Sequence, residues 1–226
     1  MKPPLLILHG AIGASVQFLS LAEKLSDQYE VHLFDFPGHG GKAFAEEPFS
    51  IKLFSDSVLE YIQGNNIPSV TIFGYSMGGY VAMLLAKEHP QLTERIITLG
   101  TKFHWHEAVA EKEIKMLNPE AIVLKLPGFA AVLEKMHAPN DWKEVLNRTA
   151  GMLATMGKDN PLKPEDFTRI QTPVRIMLGD RDKMVTLEET LAVYKALPHA
   201  QQVILPSTPH PIEQVDISLL AGMINH

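Results

Sequence analysis

Short apolar runs alternate with amphipathic segments along most of this chain. Runs of aliphatic residues that predict β-strands occupy residues 5–8, 29–36, 69–73, 95–100, 173–179 and 201–206. Apolar residues that recur every three or four positions predict helices over residues 15–27, 50–64, 77–90, 187–197 and 212–224. The strand runs are continuously apolar rather than alternating, as in strands that are covered on both faces. We therefore expect an α/β fold, with a mostly parallel sheet of about six strands and helices on both faces.

The alternation stops after Gly100 and resumes near residue 169. Residues 103–168 carry helical apolar patterns and several proline and glycine stops, but no convincing strand pattern. We interpret this segment as an insertion at the carboxyl edge of the sheet. The chain is therefore divided into a core, residues 1–102 and 169–226, and a helical insertion, residues 103–168.

Polar residues mark the starts of three predicted helices. Ser15, Ser50 and Thr186 each precede the first apolar positions of a helical pattern. A serine or threonine at this place accepts a hydrogen bond from a free backbone N–H of the first turn. We therefore expect all three residues to be N-caps.

Composition excludes several classes of protein. The 226 residues are 46% hydrophobic and 20% charged, which is enough apolar material for a globular domain with a sizeable core. The net charge is −6 without any cluster of lysine and arginine, so no nucleic-acid partner is expected. The absence of cysteine excludes disulfides, thiol nucleophiles and thiolate metal sites. The first apolar run, residues 5–8, is too short for a signal peptide or a membrane span, so we expect a cytoplasmic protein without a membrane partner.

A serine with glycines on both sides lies between a predicted strand and a predicted helix. Gly74, Ser76 and Gly78 fit the pattern G-x-S-x-G. At such a corner the backbone turns sharply and the serine hydroxyl stands exposed above the sheet, while flanking side chains would clash with the neighbouring elements. The N–H of Met77, at the start of the helix, can donate to an oxyanion. The corner predicts that Ser76 is a nucleophile.

A serine nucleophile needs a base, and the base needs a group that orients it. The loop after the strand at 173–179 offers two acids, Asp180 and Asp182. The loop after the last strand offers one histidine, His210, whereas His199 precedes that strand and is expected at the opposite edge of the sheet.

Four segments resemble the α/β-hydrolase superfamily, and the resemblance covers nearly the whole chain. They are LLILHGAIGAS at residues 5–15, FDFPGHGGK at 34–42, GYSMGG at 74–79 and MLGDRDKMV at 177–185. They look like the oxyanion loop, the D-x-x-G-H-G segment, the nucleophile elbow and the acid loop of that superfamily. The resemblance is to its serine-nucleophile, lid-bearing, carboxylesterase-like branch.

The resemblance implies a catalytic triad of Ser76, Asp182 and His210. The acid of the family lies three residues after the glycine of its loop, and the triad follows the chain order serine, acid, histidine. The family also implies the backbone N–H of Ala11 as the oxyanion donor that accompanies Met77. No cofactor and no metal are implied.

The histidine loop departs from the common pattern of the family. A glycine often precedes the histidine and an acidic residue often follows some five positions later, but here Pro209 precedes His210 and Glu213 follows after three. The loop is therefore expected to be shorter and stiffer. His9 and His39 are expected to order their loops rather than to take part in the chemistry.

The resemblance implies that the helical insertion is a lid that shapes the substrate pocket. Its leucine, methionine, alanine and valine content favours an apolar pocket with a pliable wall, although most of these residues are expected to hold the lid helices together. The candidate lining residues are Phe103, Trp105, Met116, Leu124, Phe129, Met136 and Met152, with Leu126, Trp142 and Met156 as further members.

The sequence therefore predicts a serine hydrolase that cleaves a small-molecule carboxylic ester with a small to medium apolar acyl group. The same triad also serves thioester hydrolysis, carbon–carbon bond hydrolysis, lyase reactions, acyl transfer and perhydrolysis, and these alternatives stay open. A ligand-binding, receptor-like protein with slow or no turnover is the alternative from another class.

Overall fold

A computed structural model describes residues 2–225, and it contains a six-stranded sheet. The strands are β1 (Pro4–Leu8), β2 (Glu30–Phe34), β3 (Val70–Tyr75), β4 (Thr93–Leu99), β5 (Val174–Gly179) and β6 (Ala200–Leu205). All neighbouring strands are parallel, in the order β2-β1-β3-β4-β5-β6. The α/β fold predicted from the apolar runs is confirmed.

Helices follow the strands and also fill the interval between β4 and β5. They are α1 (Leu19–Leu25), α2 (Ile51–Gly64), α3 (Met77–Glu88), α4 (Glu107–Ile114), α5 (Pro119–Lys125), α6 (Pro127–His137), α7 (Trp142–Lys158), α8 (Pro164–Phe167), α9 (Leu187–Ala196) and α10 (Ile217–Asn225). Short 3-10 turns occupy Ser15–Phe18, Pro90–Leu92, Lys115–Leu117 and Ile212–Gln214.

The central strands of the sheet are buried on both faces, and the edge strands β2 and β6 are partly exposed. Leu6 and Leu8 of β1 belong to one apolar cluster, with residues of α2, α3 and α9. Leu5 and Ile7 belong to a second cluster, with residues of α1 and α10. Because successive side chains of a strand point to opposite faces, a strand between two helical layers must be apolar at every position.

Two of the three predicted caps are confirmed. Ser50 accepts a hydrogen bond from the Leu53 N–H (3.0 Å), and Thr186 accepts one from the Glu189 N–H (3.2 Å). Glu189 also reaches back to the Thr186 N–H, so this helix start is a capping box.

The prediction of Ser15 as a cap is wrong. Its N–H and its hydroxyl both donate to the carboxylate of Asp35, at 2.7 Å each, and Ser15 is the first residue of a 3-10 turn. The last helix also begins later than predicted, at Ile217, because the Asp216 carboxylate accepts hydrogen bonds from the N–H groups of Ser218 and Leu219.

The interval between β4 and β5 holds α4 to α8 and contains no strand within residues 103–168. Its longest helix, α7, packs on the core through Val145, Met152 and Met156. A smaller apolar cluster lies within the segment, formed by Ile122, Leu133, Trp142 and Leu146. The segment is therefore joined to the core by apolar packing and has a small core of its own.

Candidate active site

Ser76 occupies a strained corner between β3 and α3. Its backbone has φ 51° and ψ −116°, a combination that only glycine adopts without strain. A Cβ at Gly74 would lie 2.4 Å from the Gly79 nitrogen, and a Cβ at Gly78 would lie 2.4 Å from the Leu8 oxygen. The two glycines are therefore required by the tight approach of α3 to β1 and β3.

Hydrogen bonds from neighbouring loops hold this corner. The Ser76 N–H donates to the Leu99 carbonyl (2.9 Å), and the Thr101 hydroxyl donates to the Ser76 carbonyl (3.0 Å). Hydrogen bonds from β4 and the loop that follows it thus fix the backbone of Ser76. The backbone conformation of the elbow then sets the direction of the side chain.

Asp182 and His210 form a close pair at the same edge of the sheet. His210 Nδ1 lies 2.7 Å from Asp182 Oδ2, while Asp182 Oδ1 accepts hydrogen bonds from the N–H groups of Met184 (2.8 Å) and Val185 (2.9 Å). An ionised carboxylate only accepts, so His210 Nδ1 carries the proton. The Nε2 atom of the neutral imidazole is then free to accept a proton.

Two opposing effects act on the Asp182 carboxyl. Burial raises its pKa, but the hydrogen bonds from His210 and from the Val185 and Met184 N–H groups outweigh burial and hold the pKa below its ordinary value. The Asp182 side chain is 2% exposed and that of His210 is 10% exposed. The carboxyl is therefore charged at neutral pH in a nearly closed environment.

Two residues that the sequence did not identify support this pair. The Tyr75 hydroxyl donates to the His210 carbonyl (2.8 Å), which fixes the histidine loop. Gly100 has φ +60°, and a Cβ there would lie 3.2 Å from both Asp182 Oδ2 and His210 Nδ1. A glycine after a strand was the available signal for Gly100, whereas Tyr75 occupies a variable position of the elbow motif and gave none.

The two predicted oxyanion donors lie beside Ser76 in the cavity described below. Within residues 2–225, neither the Ala11 N–H nor the Met77 N–H has an acceptor in the protein. Met77 is the first residue of α3, where the helix leaves N–H groups unsatisfied. Their use as oxyanion donors stays a prediction.

A cavity of about 640 Å³ opens above the elbow. Ser76, His210, Ala11 and Met77 all line it, although no direct hydrogen bond joins the Ser76 and His210 side chains in the described part of the chain. Catalytic hydrogen bonds are often loose without substrate and tighten when it binds. Asp182 stands behind His210, and Asp180 instead accepts a hydrogen bond from the Thr208 N–H (3.2 Å).

Five of the seven pocket candidates line this cavity: Trp105, Met116, Phe129, Met136 and Met152. The structure places the other two elsewhere. Phe103 is buried in the core against Tyr80 and Phe167, and Leu124 is 80% exposed on the outer face of α5. Of the three further members, Leu126 and Met156 line the cavity and Trp142 lies in the small cluster of the segment.

A charged group that the sequence did not single out borders the cavity. Lys102 Nζ donates to the Met184 carbonyl (2.5 Å) and lies 3.8 Å from Glu113 of α4 and 3.7 Å from Glu189 of α9. Lys102 and Glu113 line the cavity. Since the Met184 N–H donates to Asp182, Lys102 connects the helical segment to the acid loop.

Three buried histidines surround the loops next to the elbow. His9, His39 and His137 have no exposed surface, and the His39 ring lies 5.1 Å from that of His9 and 5.7 Å from that of His137. Burial lowers the pKa of His9 from 6.5 to about 4 and also lowers the pKa values of His39 and His137. The three rings are therefore neutral at pH 7.

This cluster predicts a fall in stability in mild acid. In the unfolded chain the His9 side chain takes up a proton as the pH falls through 6.5, whereas in the folded protein it does so only near pH 4. The contribution of neutral His9 to the free energy of unfolding is therefore fully present above pH 6.5 and is lost as the pH falls from 6.5 towards 4. We expect the free energy of unfolding to drop by about 2 kcal/mol for His9 alone between pH 7.5 and 5, measured by urea titration. His39→Phe should weaken the pH dependence, because it removes a buried group of the same kind.

The exposed pair His104 and His106 supplies the control. Replacing both with alanine should leave the pH dependence unchanged. A wild-type protein equally stable at pH 7.5 and 5 would contradict the role of the buried cluster.

Residues 2–225 hold no group of three or more histidine, aspartate or glutamate side chains that could bind a metal ion. None of the helices in the same range combines the length and the apolar character that a membrane crossing requires.

Comparison with known proteins identifies the family. A profile described as the alpha/beta hydrolase fold matches residues 3–118, just over half of the chain. The chain therefore belongs to the alpha/beta hydrolase fold family. This agrees with the resemblance found in its motifs and with its parallel sheet.

Several relatives match along most of the chain. A pimeloyl-[acyl-carrier protein] methyl ester esterase of Chromobacterium violaceum is 26% identical over 232 residues, which cover 92% of this chain and 87% of that protein. An uncharacterized protein of Mycobacterium tuberculosis is 32% identical over 238 residues, which cover 92% of this chain and 70% of that protein. The crystal structure of an enol-lactonase from Burkholderia xenovorans LB400 aligns with a TM-score of 0.81 at 17% identity, covers 100% of this chain and 90% of that chain, and shows the common fold. Hydrolases among the relatives support hydrolase activity.

Proposed function

We propose that this protein is a serine hydrolase that cleaves carboxylic esters with a small to medium apolar acyl group. The observation that carries the proposal is the arrangement around one cavity. A serine at a strained elbow and a histidine with a free Nε2 line it, and a buried carboxylate fixes the tautomer of that histidine. The relative from Chromobacterium violaceum is an ester hydrolase by name, which also supports the choice of ester.

The proposed reaction proceeds through an acyl-enzyme. His210 Nε2 takes the hydroxyl proton of Ser76 as the oxygen attacks the ester carbonyl, and the N–H groups of Ala11 and Met77 bind the oxyanion. Asp182 stabilises the imidazolium. The tetrahedral intermediate expels the alcohol, which receives the proton from His210. Water, deprotonated by His210, then attacks the acyl-enzyme and releases the carboxylic acid and Ser76.

The substrate class follows from the walls of the cavity. Its volume of about 640 Å³ lies within the usual range for small-molecule sites, and methionine and leucine side chains of the helical segment supply much of its wall. Thioether side chains adapt to different acyl shapes. We propose that the segment acts as a lid and that the acyl group lies against it.

An ester panel tests this proposal. We expect p-nitrophenyl esters with acyl chains of about four to eight carbons to give the highest kcat/KM, because chains of this size gain contact with the apolar wall of a small-molecule site. Met136→Trp, which replaces a flexible side chain of the cavity wall with a bulky ring, should lower kcat/KM for the longer chains by at least about tenfold and leave the acetate ester nearly unchanged.

The matched control is Leu124→Trp, on the outer face of the same segment. This variant should keep the wild-type profile. The proposed acyl site would be contradicted if Met136→Trp and Leu124→Trp changed kcat/KM for the longer chains equally, or if no ester in the panel were hydrolysed.

A further inference from the structure

His137, the last residue of α6, forms hydrogen bonds through both of its ring nitrogens. The Gly40 N–H donates to Nδ1 (3.2 Å), and Nε2 lies 3.0 Å from the Ile12 carbonyl. A backbone N–H can only donate and a carbonyl can only accept, so Nδ1 is unprotonated and Nε2 carries the proton. The side chain has no exposed surface, and a single neutral tautomer satisfies both bonds.

The carbonyl that accepts this bond belongs to a strained residue. Ile12 has φ 53°, a left-handed conformation that is a genuine outlier for a β-branched side chain. Such strain persists only where the surroundings hold it. The tight turn closed by the Gly13 N–H on the Gly10 carbonyl (3.2 Å) contains Ile12, and the Ile12 side chain packs on the small apolar cluster of the helical segment.

We propose that His137 is a positioning residue for the oxyanion loop, acting through the hydrogen bond from its Nε2–H to the Ile12 carbonyl. This inference rests on the proposed function, in which the N–H of Ala11, the residue before Ile12, binds the oxyanion. Oxyanion stabilisation depends on donors that are held in place before the reaction. A residue of the proposed lid would thus set the geometry of a catalytic donor that it does not touch.

A neighbouring contact separates this role from simple attachment of the segment. Asn140 donates through Nδ2 to the carbonyls of Gly38 (3.1 Å) and Lys42 (2.7 Å). It therefore ties the same end of α6 to the same loop as His137 does, but it makes no hydrogen bond to the oxyanion loop. Asn140→Ala weakens the attachment without removing the donor to Ile12.

Two substitutions distinguish the two ring nitrogens. The amide of His137→Gln reaches the position of Nε2–H and can donate to Ile12, whereas the shorter amide of His137→Asn can serve only Gly40. We expect His137→Asn to lower kcat for an ester by about 10- to 100-fold with little change in KM, because one oxyanion donor is displaced rather than deleted. His137→Gln should stay within about threefold of the wild type. His137→Met, a donor-free side chain that fills the site, should behave like His137→Asn and replaces it if that variant does not fold.

Hydrogen exchange gives a readout that does not need turnover. The peptide that spans residues 9–17 should exchange faster in His137→Asn and at the wild-type rate in His137→Gln, while Asn140→Ala should leave it unchanged. Equal exchange in all variants, or equal kcat in His137→Asn and His137→Gln, would overturn the inference. A wild type that neither hydrolyses esters nor labels at Ser76 would instead refute the proposed function, and the exchange result would then decide the positioning role alone.

Discussion

Ser76→Ala is expected to lower ester turnover by about 10⁴- to 10⁶-fold and to abolish labelling by a fluorophosphonate. In the proposed mechanism the variant loses the oxygen that forms the acyl-enzyme, while the cavity and the proposed oxyanion donors remain. Hydrolysis of p-nitrophenyl butyrate measures the first effect. Intact-protein mass measures the second, with one adduct on the wild type and none on the variant.

A matched serine makes this test specific. Ser218 is exposed at the start of α10, far along the chain from the elbow, and Ser218→Ala should keep both turnover and the single adduct. Thermal unfolding should show that Ser76→Ala is folded. Turnover or an adduct that survives in folded Ser76→Ala would remove Ser76 from the mechanism.

Asp182→Asn is expected to reduce kcat by about 10⁴-fold. The hydrogen bonds of Asp182 give the reason for the expected fall in kcat. Asp182 Oδ1 accepts two hydrogen bonds, from the N–H groups of Met184 and Val185, so the asparagine oxygen must occupy this position. The amide NH₂ then faces His210 and donates to Nδ1. His210 is left in the tautomer that carries its proton on Nε2, where it cannot accept the proton of Ser76.

Asp180→Asn is the matched control, two residues away in the same loop. The Asp180 carboxylate accepts the Thr208 N–H and lies 3.8 Å from the exposed Arg181 Nε. The oxygen of an asparagine can accept the same N–H, and an exposed ion pair contributes little, so the variant should retain turnover within about threefold. The rate measurement should accompany NMR assignment of the protonated ring nitrogen of His210. Similar losses in Asp180→Asn and Asp182→Asn would show that the loop, not the particular carboxylate, matters.

The sheet was predictable because its information is local. The central strands β1, β3 and β5 lie between two helical layers, so each appears as an apolar run that needs no knowledge of its neighbours, whereas the edge strands β2 and β6 carry polar and exposed residues. The need for Gly74 is equally local, since its Cβ would clash with Gly79 within the elbow itself. The need for Gly78 is not, because its Cβ would clash with Leu8 of the distant strand β1, and this glycine was predicted from the motif alone. The roles of Asp182 and His210 rested on the family pattern, and they stay predictions although the structure brings the two side chains together.

Contacts between distant parts of the chain could not be predicted. Ser15 has the identity and position of an N-cap, but Asp35, twenty residues away, accepts both its N–H and its hydroxyl. His137 meets Ile12 across 125 positions, and no local pattern indicates that pairing.

Helical periodicity also left the pocket partly undetermined. A pattern shows which residues share a face, but it does not show whether that face meets a cavity, a neighbouring helix or solvent. Phe103 and Leu124 have the same apolar character as Phe129, which lines the cavity. Phe103 lies in the loop between β4 and α4, where the core encloses it, whereas Leu124 lies on α5 and is exposed. The place of each depends on contacts that the local pattern does not contain.

The backbone conformation of Ser76 means that heat resistance and the proposed activity favour different sequences at this position. A side chain held at φ 51° and ψ −116° costs the folded state about 1–3 kcal/mol, which glycine would not incur. Directed evolution that selects only for survival at high temperature would therefore reward loss of the serine. A selection for thermostable variants of this protein therefore has to measure ester turnover in the same round.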